Sequence, residues 1–342
     1  MGGTTGGAAT DGGVAARPAG RGRVLRAALA LAAAGLGLAT GCALAARLWW
    51  AFDLFSHFRP HYAVLATLLG AAALAARAHP AALALAAVAL LNGWAVRDLR
   101  PGGDTAAAAA GAAEGAPLRV VSANVLDSNP TPGKVLDFVR GSGADLVVLV
   151  DAKSERWRGV LAALGDLYPH RAPDSWREGA PVILLSRRPV PAEAVVHPAA
   201  GADLPYVVAR VAAARATPLV VGVHPTSPKP TEPEDSRERN HQLDHIGATV
   251  EGVAGPVIVA GDFNVTPWSP HFRDLLAATG LRDAGAGRGW LPTWPVRLGP
   301  AGIPIDHVLV RGQVAVIGLS LGPDVGSDHR PLVADLRVGG RP

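Results

Sequence analysis

Apolar positions along the chain show two textures, and the change comes near residue 117. Before it, apolar residues run without interruption. Ala27 to Ala46 carries no charge over roughly 20 residues, the length a helix needs to cross the hydrocarbon core of a bilayer. Tyr62 to Ala76 and Ala81 to Val96 are two further apolar runs, each of about 15 residues, separated by Arg77, His79 and Pro80. Neither shows an amphipathic stripe. The pattern predicts a membrane anchor over residues 23–97 with three transmembrane helices; a buried soluble hairpin is the alternative that the shorter runs leave open. Trp49, Trp50, Phe52, Phe55 and Phe58 suit a lipid–water interface. Residues 1–22 read as a disordered Gly/Ala/Thr tail, and residues 98–116 as an Ala/Gly linker.

Beyond Pro117 the apolar residues come in short β-branched bursts bounded by Gly, Pro or Asp. They are Arg119–Ala123, Leu146–Val150, Val182–Leu185, Tyr206–Val211, Leu219–Val223, Val257–Ala260, Ile305–Val310, Val314–Ile317 and Leu332–Leu336. Helical patches intervene near Lys134–Arg140, Glu155–Leu164, Arg237–Val250 and His271–Ala278. Many strands with a few helices over residues 117–338 predict one α/β domain with two packed sheets.

Composition sharpens the first reading. At 49% hydrophobic and 18% charged residues the chain is too apolar for an ordinary soluble enzyme. Its formal charge of +4 is spread without a basic stripe, which speaks against a protein that tracks duplex DNA. The single cysteine, Cys42, excludes an intramolecular disulfide and a thiolate metal site. Arg17, Arg21, Arg23 and Arg26 precede the first apolar run and favour a cytoplasmic N-terminus, so three crossings place the domain outside the cell. Arg47, Arg59, Arg97 and Arg100 then fall on the outer side, which argues the other way. Ala39-Thr40-Gly41-Cys42 loosely resembles a lipoprotein signal, an alternative that also exports the domain.

Polar residues cluster at the strand ends, where a sheet presents groups to a cleft. Asn124, Asp151 and His224 follow strands; Asp262 and Asn264 follow Val257–Ala260; Asp306 and His307 open the strand at Ile305; Asp328 and His329 precede the last one. Carboxylates supply a hard cation with oxygen ligands, imidazole and amide groups supply donors for phosphate oxygens, and a further carboxylate can activate water. Singly, each has a structural reading. Asp262 could cap a turn, Asn264 could sit in a left-handed conformation, and Asp306 with His329 could form a structural hydrogen bond. His307 faces opposite to Asp306 and reads as packing.

Taken in order, VSANVLDSN, ADLVVLVDA, VVGVHPTSP, VIVAGDFNVTPWS, IPIDHVLV and GSDHRPLVADL resemble the successive motifs of the endonuclease/exonuclease/phosphatase superfamily. The resemblance implies a four-layer α/β sandwich and an Mg²⁺- or Mn²⁺-dependent site. Asn124, Asp151 and Asp328 would serve the metal. Asp262 would orient or deprotonate the attacking water, and Asn264 would hold a phosphate oxygen. Asp306 would pair with His329, which would stabilise developing charge, with His224 acting from the other side. Trp294, in the Thr293-Trp294-Pro295 stretch, is a candidate substrate contact. Asp151 departs from the glutamate usual at its position and is one methylene shorter, which bears on Mg²⁺ because its coordination shell is strict.

The reaction class expected is metal-assisted attack of water on phosphorus. The layout of apolar helices, linker and domain is similar to the membrane-bound teicoplanin-resistance (VanJ-type) proteins, which implies a multi-pass protein of the cell membrane acting on an envelope lipid phosphate. An anchored nuclease or phosphodiesterase, with nucleic acid as substrate, and an inactive phosphate-binding module are the alternatives. Oligomeric state is not legible.

Overall fold

Twelve strands form among the residues described by the computed structural model, which are 19–99, 115–173, 181–190, 195–198, 205–213, 216–228 and 236–339. In chain order they are β1 (Ala116–Asn124), β2 (Leu146–Val150), β3 (His170–Ala172), β4 (Val182–Ser186), β5 (Val195–Pro198), β6 (Pro205–Arg210), β7 (Leu219–Val223), β8 (Val257–Asp262), β9 (Arg282–Asp283), β10 (Asp306–Arg311), β11 (Val314–Leu321) and β12 (Leu332–Val338). They make two six-stranded mixed sheets, ordered β11-β12-β1-β2-β4-β3 and β5-β6-β7-β8-β10-β9. All nine bursts read from the sequence are strands. The three short ones that it did not yield, β3, β5 and β9, include both outer strands at the β3 and β9 ends and the β5 edge, where few apolar residues are needed.

The sheets face each other across a core that includes Val120, Val148, Leu184, Val220, Ile258 and Val308. A Cβ added at Gly222 would sit 2.8 Å from the Val182 side chain, so the absent side chain lets the layers close. Helices α5 (Pro132–Gly141) and α6 (Arg156–Ala163) cover the outer face of the first sheet, burying Val135, Val139, Trp157 and Leu161. Helices α7 (Ser236–Val250) and α8 (Pro270–Thr279) cover the second through Leu243, Ile246, Phe272 and Leu275. Each such side chain removed from water contributes about 1.5–3 kcal/mol. The result is the expected four-layer sandwich.

Register positions the functional groups. β1 and β2 are parallel, with Asn124 opposite Val150, and β7 and β8 are parallel, with Val223 opposite Gly261. Parallel neighbours end on the same side, so Asn124, Asp151, His224 and Asp262 all emerge at one rim. β10 runs antiparallel to β8 and starts beside its end, with Asp306 opposite Asp262. β12 starts beside Ser122 of β1, which brings Ser327 to His329 to the same rim.

Four helices precede the sandwich: α1 (Ala19–Leu44), α2 (Trp50–Ser56), α3 (Arg59–Ala75) and α4 (His79–Ala95). Leu29, Ala33, Ala66, Ala73, Ala82, Leu85 and Val88 pack α1, α3 and α4 together. Their outer faces stay apolar, with Leu31, Leu38, Val64, Leu68, Leu74, Leu83 and Leu90 exposed. The expectation of three spans needs correcting. Among the described residues one helix is long and apolar enough to cross a membrane, over Arg21–Leu44. α3 and α4 have 17 residues each, or about 26 Å of helix against a hydrocarbon core of about 30 Å. A multi-pass arrangement is therefore not supported. The aromatic stretch after Arg47 is also more ordered than an interfacial loop, because it folds as α2 and turns Asp53 and Ser56 inward. Residues 1–18 of the expected tail and 100–114 of the expected linker lie outside the described residues.

Candidate active site

The Gly261-Asp262-Phe263-Asn264 turn shows how local sequence makes the site. Gly261 has φ +153, and a Cβ there would lie 1.9 Å from the Val223 carbonyl oxygen, so only glycine lets β8 close on β7 at its functional end. Phe263 is buried among Val259, Leu243 and Phe272 and anchors the turn. Asn264 adopts φ +50, a left-handed conformation that asparagine tolerates, and its N–H donates to Asp262 Oδ1 at 2.9 Å.

Around this turn the strand ends converge. One oxygen or ring nitrogen from each of Asp262, Asp306 and His329 lies within 4.8 Å of the others, all buried. His329 Nδ1 pairs with Asp306 Oδ2 at 2.8 Å, leaving its Nε2 3.7 Å from Asp262 Oδ2. Asn124 Nδ2 donates to Asp262 Oδ2 at 3.0 Å, and His224 Nε2 lies 3.8 Å from the same oxygen. Asn264 Nδ2 donates to the Pro225 carbonyl at 2.8 Å, which leaves its second amide hydrogen for a ligand. Ser327 Oγ donates to the Asn124 carbonyl at 2.8 Å and ties the β12 approach to β1.

The other expected residues sit around this centre. Asp151, at φ +64, has both carboxylate oxygens engaged: Oδ1 by Lys153 Nζ at 2.8 Å and Oδ2 by the Asp127 N–H at 3.1 Å. Asp328 Oδ2 accepts the Trp294 indole N–H at 2.9 Å, and the Trp294 ring lies 6.3 Å from that of His329. His307 points away from the centre; its Nε2 meets the Val265 carbonyl at 2.8 Å and its ring packs on Phe272. Glu155, a nearby acid that could stand in for Asp151, pairs with Arg158 on the surface.

Electrostatics separates the groups. Burial opposes charge on His329, but Asp306 and Asp262 outweigh it and raise its pKa to about 9, so it is cationic at neutral pH. Burial and the neighbouring Asp306 push Asp262 up to about 7. Burial pushes His224 down to about 4, so it is neutral, and its Nδ1 has no hydrogen-bond partner. For Asp151, burial favours the neutral acid, yet Lys153 and the Asp127 amide hold its carboxyl below the usual carboxylate range.

This donor set fits a divalent cation. Asp306 Oδ1 is buried without a hydrogen-bond partner, and Asp262 resists ionisation because burial and the neighbouring Asp306 outweigh the one imidazolium beside it. A hard cation relieves both conditions through oxygen ligands.

Comparison with known proteins decides the family. The profile of the Endonuclease/Exonuclease/phosphatase family matches residues 121–329, more than half of the chain. The chain belongs to this family. Members of the Endonuclease/Exonuclease/phosphatase family are metal-dependent phosphoester hydrolases. A solved endonuclease/exonuclease/phosphatase from Beutenbergia cavernae DSM 12333 is 22% identical, with TM-score 0.54, covering 66% of this chain and 72% of its own. Danio rerio TDP2 complexed with a single-strand DNA product is 17% identical, with TM-score 0.52, covering 65% of this chain and 99% of its own. Sphingomyelinase C from Streptomyces griseocarneus is 19% identical, with TM-score 0.48, covering 64% and 99%. At these identities the likeness concerns the fold. A search of curated proteins returns no match.

Two residues of this Endonuclease/Exonuclease/phosphatase site were not singled out by sequence. Lys153 lies two positions after Asp151, a spacing that could have flagged it. Arg239, within the helical patch Arg237–Val250, is fully buried and donates through Nη1 to the Asn264 carbonyl at 3.1 Å.

Proposed function

We propose that the chain is a membrane-tethered, divalent-metal-dependent phosphoester hydrolase that removes phosphate from a lipid-linked phosphate of the cell envelope. The observation that carries the hydrolase reading is the buried Asp262–Asp306–His329 cluster, with Asn124, Asn264 and His224 around it. Asp306, through its unpartnered Oδ1, with Asp151 and Asn124, would hold Mg²⁺ or Mn²⁺, with Asp328 nearby, and the bound cation would polarise the phosphoryl group. Asp262, held by the Asn124 amide at 3.0 Å and 3.7 Å from His329 Nε2, would accept a proton from water as the water oxygen bonds to phosphorus and the bond from phosphorus to the lipid-side oxygen breaks, that oxygen leaving with the lipid. His329, kept cationic and aimed by Asp306, donates Nε2–H to a phosphate oxygen as charge builds. Asn264 offers its free amide hydrogen and His224 a neutral imidazole to the other oxygens.

The lipid part of the reading rests on where the helices lie. His61 of α3 meets the Ala301 carbonyl at 2.9 Å and the Trp290 ring at 5.9 Å, so the helices abut the loop that leads into Trp294 and β10. Their outward faces are apolar, and Trp49, Phe55 and Phe58 are exposed near the same end. A substrate with its tail in lipid reaches such a cleft without leaving the bilayer surface. With Arg21, Arg23 and Arg26 at the N-terminal end of the one long apolar helix, a single crossing places the domain outside the cytoplasm.

A substrate panel tests the function: full-length protein in micelles with Mg²⁺ or Mn²⁺, offered a polyprenyl pyrophosphate, a nucleic acid and a soluble phosphomonoester. Preferential phosphate release from the polyprenyl substrate supports the reading. Preferential nicking of plasmid replaces it with a nuclease, and binding without turnover replaces it with a phosphate-binding module. Topology is read separately, from labelling of an exposed cysteine at Ser320→Cys in a Cys42→Ala background by an impermeant reagent on intact cells.

A further inference from the structure

The N-terminal helices are wired into the catalytic rim by buried charge. Asp53 of α2 and Arg239 of α7 form an ion pair in which both side chains are completely buried. Asp53 Oδ1 also accepts hydrogen bonds from Ser56 Oγ and Ser269 Oγ, each at 2.9 Å, and Ser269 is the N-cap of α8. On the other side, Arg239 donates through Nε to Asn240 Oδ1 at 3.1 Å and through Nη1 to the Asn264 carbonyl. Two residues later in the same loop, Thr266 Oγ1 meets His57 Nδ1 at 3.0 Å. The segment from Asp262 to Ser269 is thus held from below by the sandwich and from the side by α2 and the residue that follows it.

Asn264 is the point where this matters. Its left-handed backbone is fixed by three hydrogen bonds: its N–H to Asp262, its side-chain amide to Pro225, and its carbonyl from Arg239. The first two belong to the site. The third depends on a guanidinium buried at a position where an uncompensated charge is strongly disfavoured, and Asp53 is the carboxylate that compensates it. Remove that carboxylate and Arg239 must turn toward water or toward the Asp262 cluster, releasing the Asn264 carbonyl in either case.

We propose that Asp53 is a positioning residue of the phosphoester site, acting through Arg239 on Asn264, so that the N-terminal helices form part of the catalytic unit as well as a tether. This rests on the hydrolase reading above. A shift of about 1 Å in a phosphate-holding group costs up to 10²-fold in rate, so Asp53→Asn is expected to lower kcat roughly ten-fold or more while leaving KM nearly unchanged.

The test uses the full chain in micelles with Mg²⁺, with 4-nitrophenyl phosphate and bis(4-nitrophenyl) phosphate as probes, and measures Asp53→Asn alone and combined with Asn264→Ala. Positioning through Asn264 predicts that Asp53→Asn costs little further kcat once Asn264 is gone. Arg239→Lys keeps the buried charge pair but loses the bridge to the Asn264 carbonyl, and is expected to fold and to reproduce the kcat loss. Wild-type kcat in either folded variant, multiplying losses in the double variant, or unfolding of both single variants overturns the proposal. If wild-type protein turns over neither ester nor the polyprenyl pyrophosphate, the hydrolase reading falls alone. Positioning is then judged from the affinity for orthovanadate in Mg²⁺, a mimic of five-coordinate phosphorus, which Asp53→Asn must weaken.

Discussion

The two halves of the cleft are built differently although both sit at one rim of the packed sheets. On the second sheet, Asp262 and Asp306 face each other in register and, with His329, form a buried cluster in which each group sets the charge of the next. On the first sheet, Asn124 joins that cluster by one hydrogen bond, whereas Asp151 turns to a partly exposed lysine of its own loop. One half has fixed its charges by burial and geometry; the other holds its carboxylate in a pairing that solvent and cations can exchange. Chemistry should therefore fail sharply when the first half is altered, and metal affinity should shift gradually when the second is.

The largest effect expected is on Asp262→Ala, which removes the proposed base at the centre of the buried half. A fall in kcat on the order of 10³-fold or more is expected, with thermal unfolding nearly intact because the turn is still anchored by Phe263 and Gly261. Steady-state kinetics alongside calorimetry checks both halves of this statement. Activity close to wild type in the folded variant would remove Asp262 from the mechanism.

Most of this architecture was legible because it depends on features that sequence states directly. β-branched bursts marked nine strands, and a polar residue directly after a burst marked a strand end, which parallel pairing then brings to a common rim. The GDFN turn could be read since Gly261 and Asn264 both occupy conformations few residues adopt. What escaped were interactions across long separations. Nothing local to Asp53 shows that it compensates Arg239, 186 residues away, and an aromatic stretch rich in Trp and Phe reads as a membrane interface until the buried charge within it is paired. The helix count failed for a different reason: apolar composition suggested spans, but the lengths of α3 and α4 are set by Pro60 and Pro80 near their starts and by the turn between them.

A second, smaller effect follows from the protons stored in the buried half. His329 has its pKa raised from 6.5 to about 9, so its pairing stabilises the fold fully below about 6.5 and loses that contribution as pH rises through about 9. Such a rise corresponds to at most about 3 kcal/mol. Asp262, raised to about 7, acts in the same sense at lower pH, because the fold favours its neutral form. Metal-free protein is accordingly expected to lose thermal stability between pH 7 and 9.5, where His57 and His224, both depressed to about 4, are neutral folded or unfolded, and His329→Gln is expected to flatten that loss. Saturating Mg²⁺ should restore stability most at the alkaline end, where a cation replaces the missing protons. A metal-free midpoint that rises over this range would contradict the charge assignment of the cluster.

The smallest effect, and the one that tests the other half of the cleft most directly, concerns Lys153. Its ammonium sits 2.8 Å from Asp151 Oδ1, the oxygen a cation would need, so the lysine competes with the metal. Lys153→Met keeps the apolar stem and removes the charge. At the effective dielectric of a half-exposed site, losing that competitor is worth about 1 kcal/mol, or roughly a five- to ten-fold tighter Mg²⁺ Kd by calorimetric titration. Asp151→Glu tests the same geometry from the carboxylate side: the extra methylene lets the group reach past Lys153, so activity is retained and Mg²⁺ affinity rises. If the two changes act on one competition, their combination gives less than the product of the separate gains. If Lys153→Met instead weakens Mg²⁺ binding, the lysine holds Asp151 ready for the ion, and the short side chain is matched to that support.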